Sequence, residues 1–207
     1  MKMEKSSEKS TPKDWLIASN NLHKIEEIKL FFRTNGLNVN VLGLKEAGID
    51  IDVPETASTF EGNAWLKANA IQSMWNGNVL ADDSGLCVEA LNGAPGIHSA
   101  RYAGEPTSHP NNIAKLLSEL SNSTNRAAHF LTVLVGYYNG QPFEVKGYVH
   151  GKINRAPMGW DGFGYDPVFV PNDCSRTFAE LSNEEKNMLS HRANAMQQLL
   201  QKIKSLG

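Results

Sequence analysis

No apolar run in this 207-residue chain approaches the roughly 20 residues that a membrane-spanning helix requires, so the sequence offers no helical anchor. Cysteine is scarce. Cys87 and Cys174 are the only two, and they form neither a CxxC pair nor a zinc-ligand spacing. That argues against a disulfide scaffold and suits a reducing cytoplasm. Cys87, inside an apolar run, reads as core rather than chemistry. A surplus of one charge is also missing. Twenty Lys and Arg stand against 22 Asp and Glu, a formal net charge of -2. Without a basic excess the chain is not expected to hold a nucleic acid polymer. A small phosphorylated ligand needs only a local cluster of cations. The first thirteen residues, rich in Lys, Glu and Ser, lack the apolar core of a signal peptide and read as a disordered tail.

What is present begins with Trp15 to Ala18, a short apolar run that fits a first strand. Leu22, Ile25, Ile28 and Phe32 then recur at helical steps, with Asn35-Gly36 as the stop. Val39 to Leu42 fits a second strand. Glu55 follows Pro54 in a loop. Ser58-Thr-Phe-Glu61 has the spacing of a capping box, opening a helix with Ala64, Ala68, Ile71 and Trp75 on one face. Asn112 to Leu120 reads as a further helix. Phe130 to Tyr138 and Gln141 to Ile153 flank Asn139-Gly140, a strong hairpin signal. Parallel and antiparallel parts together predict a mixed sheet in an α/β fold.

The stretch from Leu80 to Tyr102 holds the chemistry-bearing residues around which the rest is arranged. Val79, Leu80 and Ala81 read as the end of a buried strand, placing Asp82 and Asp83 at its carboxyl end, with Ser84 and Gly85 making a turn. Ligands of open α/β sheets gather at such strand ends, although an acidic turn is the plainer reading. Adjacent carboxylates are tolerated best with a cation or donors beside them. Ser19, Asn20, Asn21, Leu22, His23 and Lys24 form a polar loop at a helix N-terminus, where free N–H groups, the helix dipole and an ammonium suit an anion. Simple N-capping is the commoner use of such residues. Lys67 lies off the apolar face of its helix, and a solvated lysine is the default.

Gly159-Trp-Asp-Gly-Phe-Gly-Tyr-Asp-Pro167 is too glycine-rich for regular structure, and its glycines let backbone approach a ligand closely. Phe163 and Tyr165 on such a loop suit base stacking better than a core. Ser182 and Glu185 repeat the capping-box spacing. Lys186 and Arg192 are six residues apart, about 600° around an unbroken helix, so they would not share a face. A break near Ser190, with Ser190 capping a new helix, is therefore expected.

Taken in order, Ser19-Asn-Asn…Lys24, Thr59-Phe-x-x-Asn63…Lys67, Asp82-Asp-Ser-Gly85…Ala94-Pro-Gly96, Phe163-Gly-Tyr-Asp-Pro167 and Glu185-Lys186…Ser190-His-Arg192 resemble the inosine/xanthosine triphosphate pyrophosphatases. The likeness covers nearly the whole chain from Trp15. It implies one α/β domain over residues 14–207, with a long mixed β-sheet flanked by helices and two lobes around a central cleft. It also implies Mg²⁺-dependent hydrolysis of ITP, dITP and XTP to monophosphate and pyrophosphate by a cytoplasmic homodimer. Under this resemblance Ser19 to Lys24 and Lys67 would hold the triphosphate. Glu55 and Asp83 would ligate the metal, with Asp83 also activating water and Ser84 contacting substrate. Phe163, Gly164, Tyr165 and Asp166 would receive the base, and Lys186, His191 and Arg192 would complete its pocket. Arg101 would add charge near the phosphates.

Three alternatives remain at this point. An aspartyl-nucleophile phosphohydrolase usually needs two Asp separated by one residue, whereas Asp82 and Asp83 are adjacent. A pyrophosphatase of modified pyrimidine nucleotides would share the chemistry. A nucleotide-binding regulatory module would bind without turnover, against which the presence of both Asp83 and Glu55 argues.

Overall fold

A computed structural model describes residues 14–206, apart from the side chain of Asn187, so the tail expected over residues 1–13 lies outside the described residues. Six strands form one sheet in the order β2-β1-β3-β4-β5-β6. β1 (Trp15–Ile17) pairs in parallel with both β2 (Val41–Gly43) and β3 (Asn78–Val88). β3, β4 (Ala127–Tyr138), β5 (Gln141–Ile153) and β6 (Phe169–Pro171) continue antiparallel. The expected mixed α/β sheet is present. Asn139 and Gly140 turn the hairpin with φ of 49° and 78°, the left-handed pair that a two-residue loop demands. Pro142 sits at the second position of β5, near the strand start where its missing N–H is tolerated.

The clearest departure from expectation is β3. Local turn chemistry at Asp82-Asp-Ser-Gly85 predicts a strand end, yet the strand runs on to Val88, and every residue from Val79 to Val88 is registered against β4. Long-range pairing overrides turn propensity here. Gly85 serves close approach instead of a turn: a Cβ there would lie 2.4 Å from the carbonyl of Gly96 and 2.6 Å from Ser99 Oγ.

Helices cover both faces of the sheet. α1 (Leu22–Thr34) and α5 (His191–Leu206) bury Ile25, Ile28, Phe32, Met196 and Leu199 against Trp15, Leu80 and Leu134. Opposite, α2 (Phe60–Gln72) packs Ala64, Ala68 and Ile71 on Val79, Ala81 and Val133. A third cluster, with α3 (His109–Glu119), joins Leu86, Phe130, Phe169 and Phe178. The capping box expected at Ser58 does not form. Thr59 caps α2 by accepting from Gly62 N at 3.0 Å, and Glu61 pairs with Lys146. Trp75 lies beyond the end of α2 but still packs against that core. β4 and α3 each begin three residues before their expected starts.

The predicted break at Ser190 is present. α4 (Asn183–Leu189) opens with the Ser182–Glu185 capping box, Ser190 is extended, and its Oγ accepts from Ala193 N at 3.1 Å as α5 begins. Gly147 of β5 makes room for that start: a Cβ would meet His191 O and Ala195 N, each at 2.2 Å.

Candidate active site

Strand alternation decides what the two central carboxylates do. Successive side chains leave opposite faces, so Asp82 follows Leu80 toward α1 and α5 while Asp83 follows Ala81 toward α2. The pair therefore shares no cation between its members in the simple way that adjacency suggests.

Asp82 is wholly buried and fully engaged. It accepts from Lys24, from Arg192 Nε at 3.2 Å and from Ser84 Oγ at 2.9 Å. Burial alone would raise its pKa, but the Lys24 and Arg192 charges outweigh that and hold it far below the usual carboxylate range. Arg192 also pairs with Glu27 of α1, and Lys186 lies 3.8 Å from the same carboxylate. Glu27 carries no local sequence signal: its role depends on α1 facing α4 and α5 across the fold.

Asp83 is buried too, yet only partly satisfied. Lys67 Nζ stands 3.4 Å from its Oδ1, 3.0 Å from Glu55 Oε1 and 2.6 Å from the carbonyl of Asp82. The solvated reading of Lys67 thus gives way to a part-buried ammonium joining three oxygens. Oδ2 of Asp83 is buried and has no hydrogen-bond partner among the described residues. Burial pushes the Asp83 carboxyl up to about 6, with Lys67 and Lys24 only partly offsetting it. Burial also pushes Glu55 upward, but Lys67 and Arg101 outweigh it and hold that carboxyl below its ordinary value.

Both carboxylates line a cavity of about 690 Å³. It is also lined by Phe163, Gly164, Tyr165, Asp166, Lys186 and His191. Asp166 Oδ2 accepts from Phe163 N at 2.8 Å and from Lys186 Nζ at 2.7 Å, and the Lys186 ammonium lies 4.7 Å from the Phe163 ring centroid. Burial raises the Asp166 pKa despite Lys186. His191 stacks on Phe130, centroids 4.7 Å apart, and burial depresses it well below the ordinary imidazole value. Its Nδ1 is buried and has no hydrogen-bond partner among the described residues. Tyr165 departs from expectation: it is a core residue, 3% exposed, whose hydroxyl donates to Ser99 O at 2.9 Å.

The phosphate-loop candidates divide. Ser19, Asn20, Asn21 and Lys24 line the cavity. Asn21 Oδ1, however, accepts from His23 N and Lys24 N at 3.1 and 3.3 Å, so the first-turn N–H groups expected to be free are capped. His23 stacks on Phe163 at 5.2 Å, while Leu22 is 70% exposed and does not line the cavity. Lys67, Ser84, Arg101 and Arg192 all do.

Among the described residues, no three His, Cys, Asp or Glu side chains converge as a complete protein metal site. The donor set nevertheless fits a hard divalent cation. Glu55 and Asp83 approach one ammonium, and one Asp83 oxygen is unpartnered. One or two carboxylates, completed by water and substrate phosphates, are what Mg²⁺ usually takes.

The sequence profile of the Ham1 family matches residues 15–202. This chain belongs to the Ham1 family. Relatives of this Ham1 chain include the dITP/XTP pyrophosphatase of Clostridium perfringens, 45% identical over 94% of this chain and 98% of its own. The dITP/XTP pyrophosphatase of Staphylococcus aureus MRSA252 is 48% identical, over 89% of this chain and 93% of its own. The solved Ham1 protein of S. aureus superposes with a TM-score of 0.84 at 45% identity, covering 94% of this chain and 100% of that one. A HAM1 protein from Coxiella burnetii gives 0.84 at 37% identity, covering 93% and 99%.

Proposed function

We propose that this Ham1 protein hydrolyses ITP, dITP and XTP to the nucleoside monophosphate and pyrophosphate, clearing deaminated purines from the nucleotide pool. The observation that carries this reading is one cavity lined by two unlike groups of side chains. One holds Asp83 with a free buried oxygen beside Glu55 and Lys67; the other holds Phe163, Asp166 and Lys186. The relatives named dITP/XTP pyrophosphatase support the substrate class.

In this reading Asp83 takes a proton from the water that attacks the α-phosphorus, and the bond to the β-phosphate oxygen breaks with release of pyrophosphate. Before metal binds, the Asp83 carboxyl stands near 6, so at neutral pH it is ionised and available to a cation and to the water proton. Lys24, Lys67 and Arg101 offset charge on the phosphates as it spreads. A Mg²⁺ ion held by Glu55 and Asp83 would polarise the phosphate oxygens. Lys24 is bound to Asp82 in this state, so reaching a phosphate requires it to exchange partners.

Phe163 takes the base by exchanging one of its present ring partners, His23 or Lys186, and Tyr165, anchored through Ser99, gives a fixed wall. Lys186, Arg192 and the unpartnered His191 nitrogen face the 6-oxo edge, with Asp166 fixing the loop. Adenine presents an amino group and an unprotonated N1 there, leaving buried donors mismatched. A two-lobed cytoplasmic homodimer, as the resemblance implies, belongs to the same reading.

The test is pyrophosphate release from ITP, XTP, GTP and ATP, with and without Mg²⁺. Stoichiometric monophosphate and pyrophosphate from ITP and XTP, far above GTP and ATP and only with the metal, is expected. Binding without turnover, or release of orthophosphate instead, would overturn the proposal.

A further inference from the structure

Beyond the cavity, the face of the sheet that carries Asp83 holds a second group of chemistry-bearing side chains. In register across three neighbouring strands, Cys87 of β3 stands opposite His129 of β4, and His129 stands opposite His150 of β5. Register partners project to the same face. The two imidazole centroids are 5.4 Å apart, with planes inclined at 43°. Tyr148, two residues before His150 on this face, lies parallel to His150 at 6.2 Å and 5.9 Å from His129. His150 is exposed and His129 is half-buried.

From this geometry we infer that His129 and His150 form a two-imidazole site for a borderline transition-metal ion such as Ni²⁺, Cu²⁺ or Zn²⁺. Imidazole suits those ions, whereas Mg²⁺ prefers oxygen ligands. β4 and β5 pair without interruption from Ala127 to Tyr138, so the two rings are held by the longest ladder in the sheet.

The local electrostatics agree. Burial and the neighbouring His150 both depress the His129 pKa, leaving a neutral ring with a lone pair for a metal. Glu89 acts on His129 in the opposite sense, close enough to influence its charge, and is itself held by Asn125 at 3.4 Å. Two protein ligands leave the remaining positions to water, so this site binds more weakly than closed four-ligand zinc sites.

The site is separate from the nucleotide cavity. Asp83 and Cys87 are four residues apart on one strand, roughly 13 Å at strand spacing. Neither His129 nor His150 lines the cavity. The reactions are therefore expected to respond differently to substitution.

Titrating the purified full-length protein with NiCl₂ in a calorimeter, alongside thermal denaturation, tests the site. One equivalent of Ni²⁺ is expected to bind and to raise the melting temperature. His150→Gln, at an exposed position, is expected to weaken Ni²⁺ binding by about tenfold or more, while Mg²⁺-supported pyrophosphate release stays unchanged. His129→Gln should weaken it similarly. Circular dichroism of the His150 variant reports whether the fold is kept. No saturable binding to wild type, or equal affinity in folded His150→Gln, would overturn the inference.

Discussion

Asp82 and Asp83 are chemically identical neighbours with opposite fates. Asp82 gathers two cations and a hydroxyl and is held far below the carboxylate range. Asp83 keeps one oxygen unpartnered and is pushed up to about 6. The cause is the two-residue period of a strand. One side chain enters the α1–α5 face, where Lys24 and Arg192 meet it. The other enters the α2 face, where the nearest ammonium is shared with Glu55 and a backbone carbonyl. A saturated carboxylate holds structure together, while an unsaturated one is available for chemistry.

The largest expected effect follows from Asp83. Replacing it by Asn removes the base, and turnover should fall by about 10²–10⁴-fold, the usual worth of general-base catalysis. Initial-rate assays with ITP check this, and retention of more than half the activity would place the base elsewhere. Asp82→Asn should behave in the reverse manner. Removing one partner of a buried ionic cluster costs about 3–5 kcal/mol, read as a lower urea midpoint with an unchanged m-value. If Asp82→Asn left stability intact, the contrast between the two faces would be broken.

A smaller effect separates the two by pH. An aspartate carried from an ordinary 3.8 to about 6 burdens the metal-free folded state by on the order of 3 kcal/mol at neutral pH. Because the folded pKa is the higher one, this burden is complete above about 6 and is relieved as pH falls toward 3.8. Metal-free Asp83→Asn should therefore be more stable than wild type at pH 7, with the advantage shrinking to nothing near pH 4. Denaturant midpoints of the two proteins across that range supply the measurement. A pH-independent difference would mean that Asp83 is not raised.

Much of this was legible in the sequence because the relevant signals are local. The hairpin at Asn139-Gly140 follows from its turn residues, and the break at Ser190 from helical phase between Lys186 and Arg192. What escaped was decided across the fold. Asp82-Asp-Ser-Gly85 has turn composition, but pairing with β4 keeps it a strand. Tyr165 sits on a glycine-rich loop, yet Ser99, 66 residues away, accepts its hydroxyl and draws it into the core. Lys67 looks like a solvated helix charge, and Glu27 carries no signal at all, until the opposite carboxylates and Arg192 are placed beside them. No periodicity encodes such partners.

Ser84 sharpens the comparison at its finest scale. It projects to the same face as Asp82, donates to Asp82 Oδ2 at 2.9 Å, and lies 3.0 Å from Thr132 Oγ1. It also lines the cavity, where a substrate contact is proposed. The two roles predict different kinetics for Ser84→Ala. Loss of a hydrogen bond to a buried charge should lower stability by about 1.5–3 kcal/mol. If Ser84 serves only Asp82, KM for ITP stays near wild type at temperatures where the variant is folded. If it also grips substrate, KM rises while the stability loss is the same. Measuring both quantities on one preparation separates a carboxylate's support from a nucleotide's contact, because only the second depends on ligand. A variant with full stability would show instead that Lys24 and Arg192 satisfy Asp82 without help from the hydroxyl.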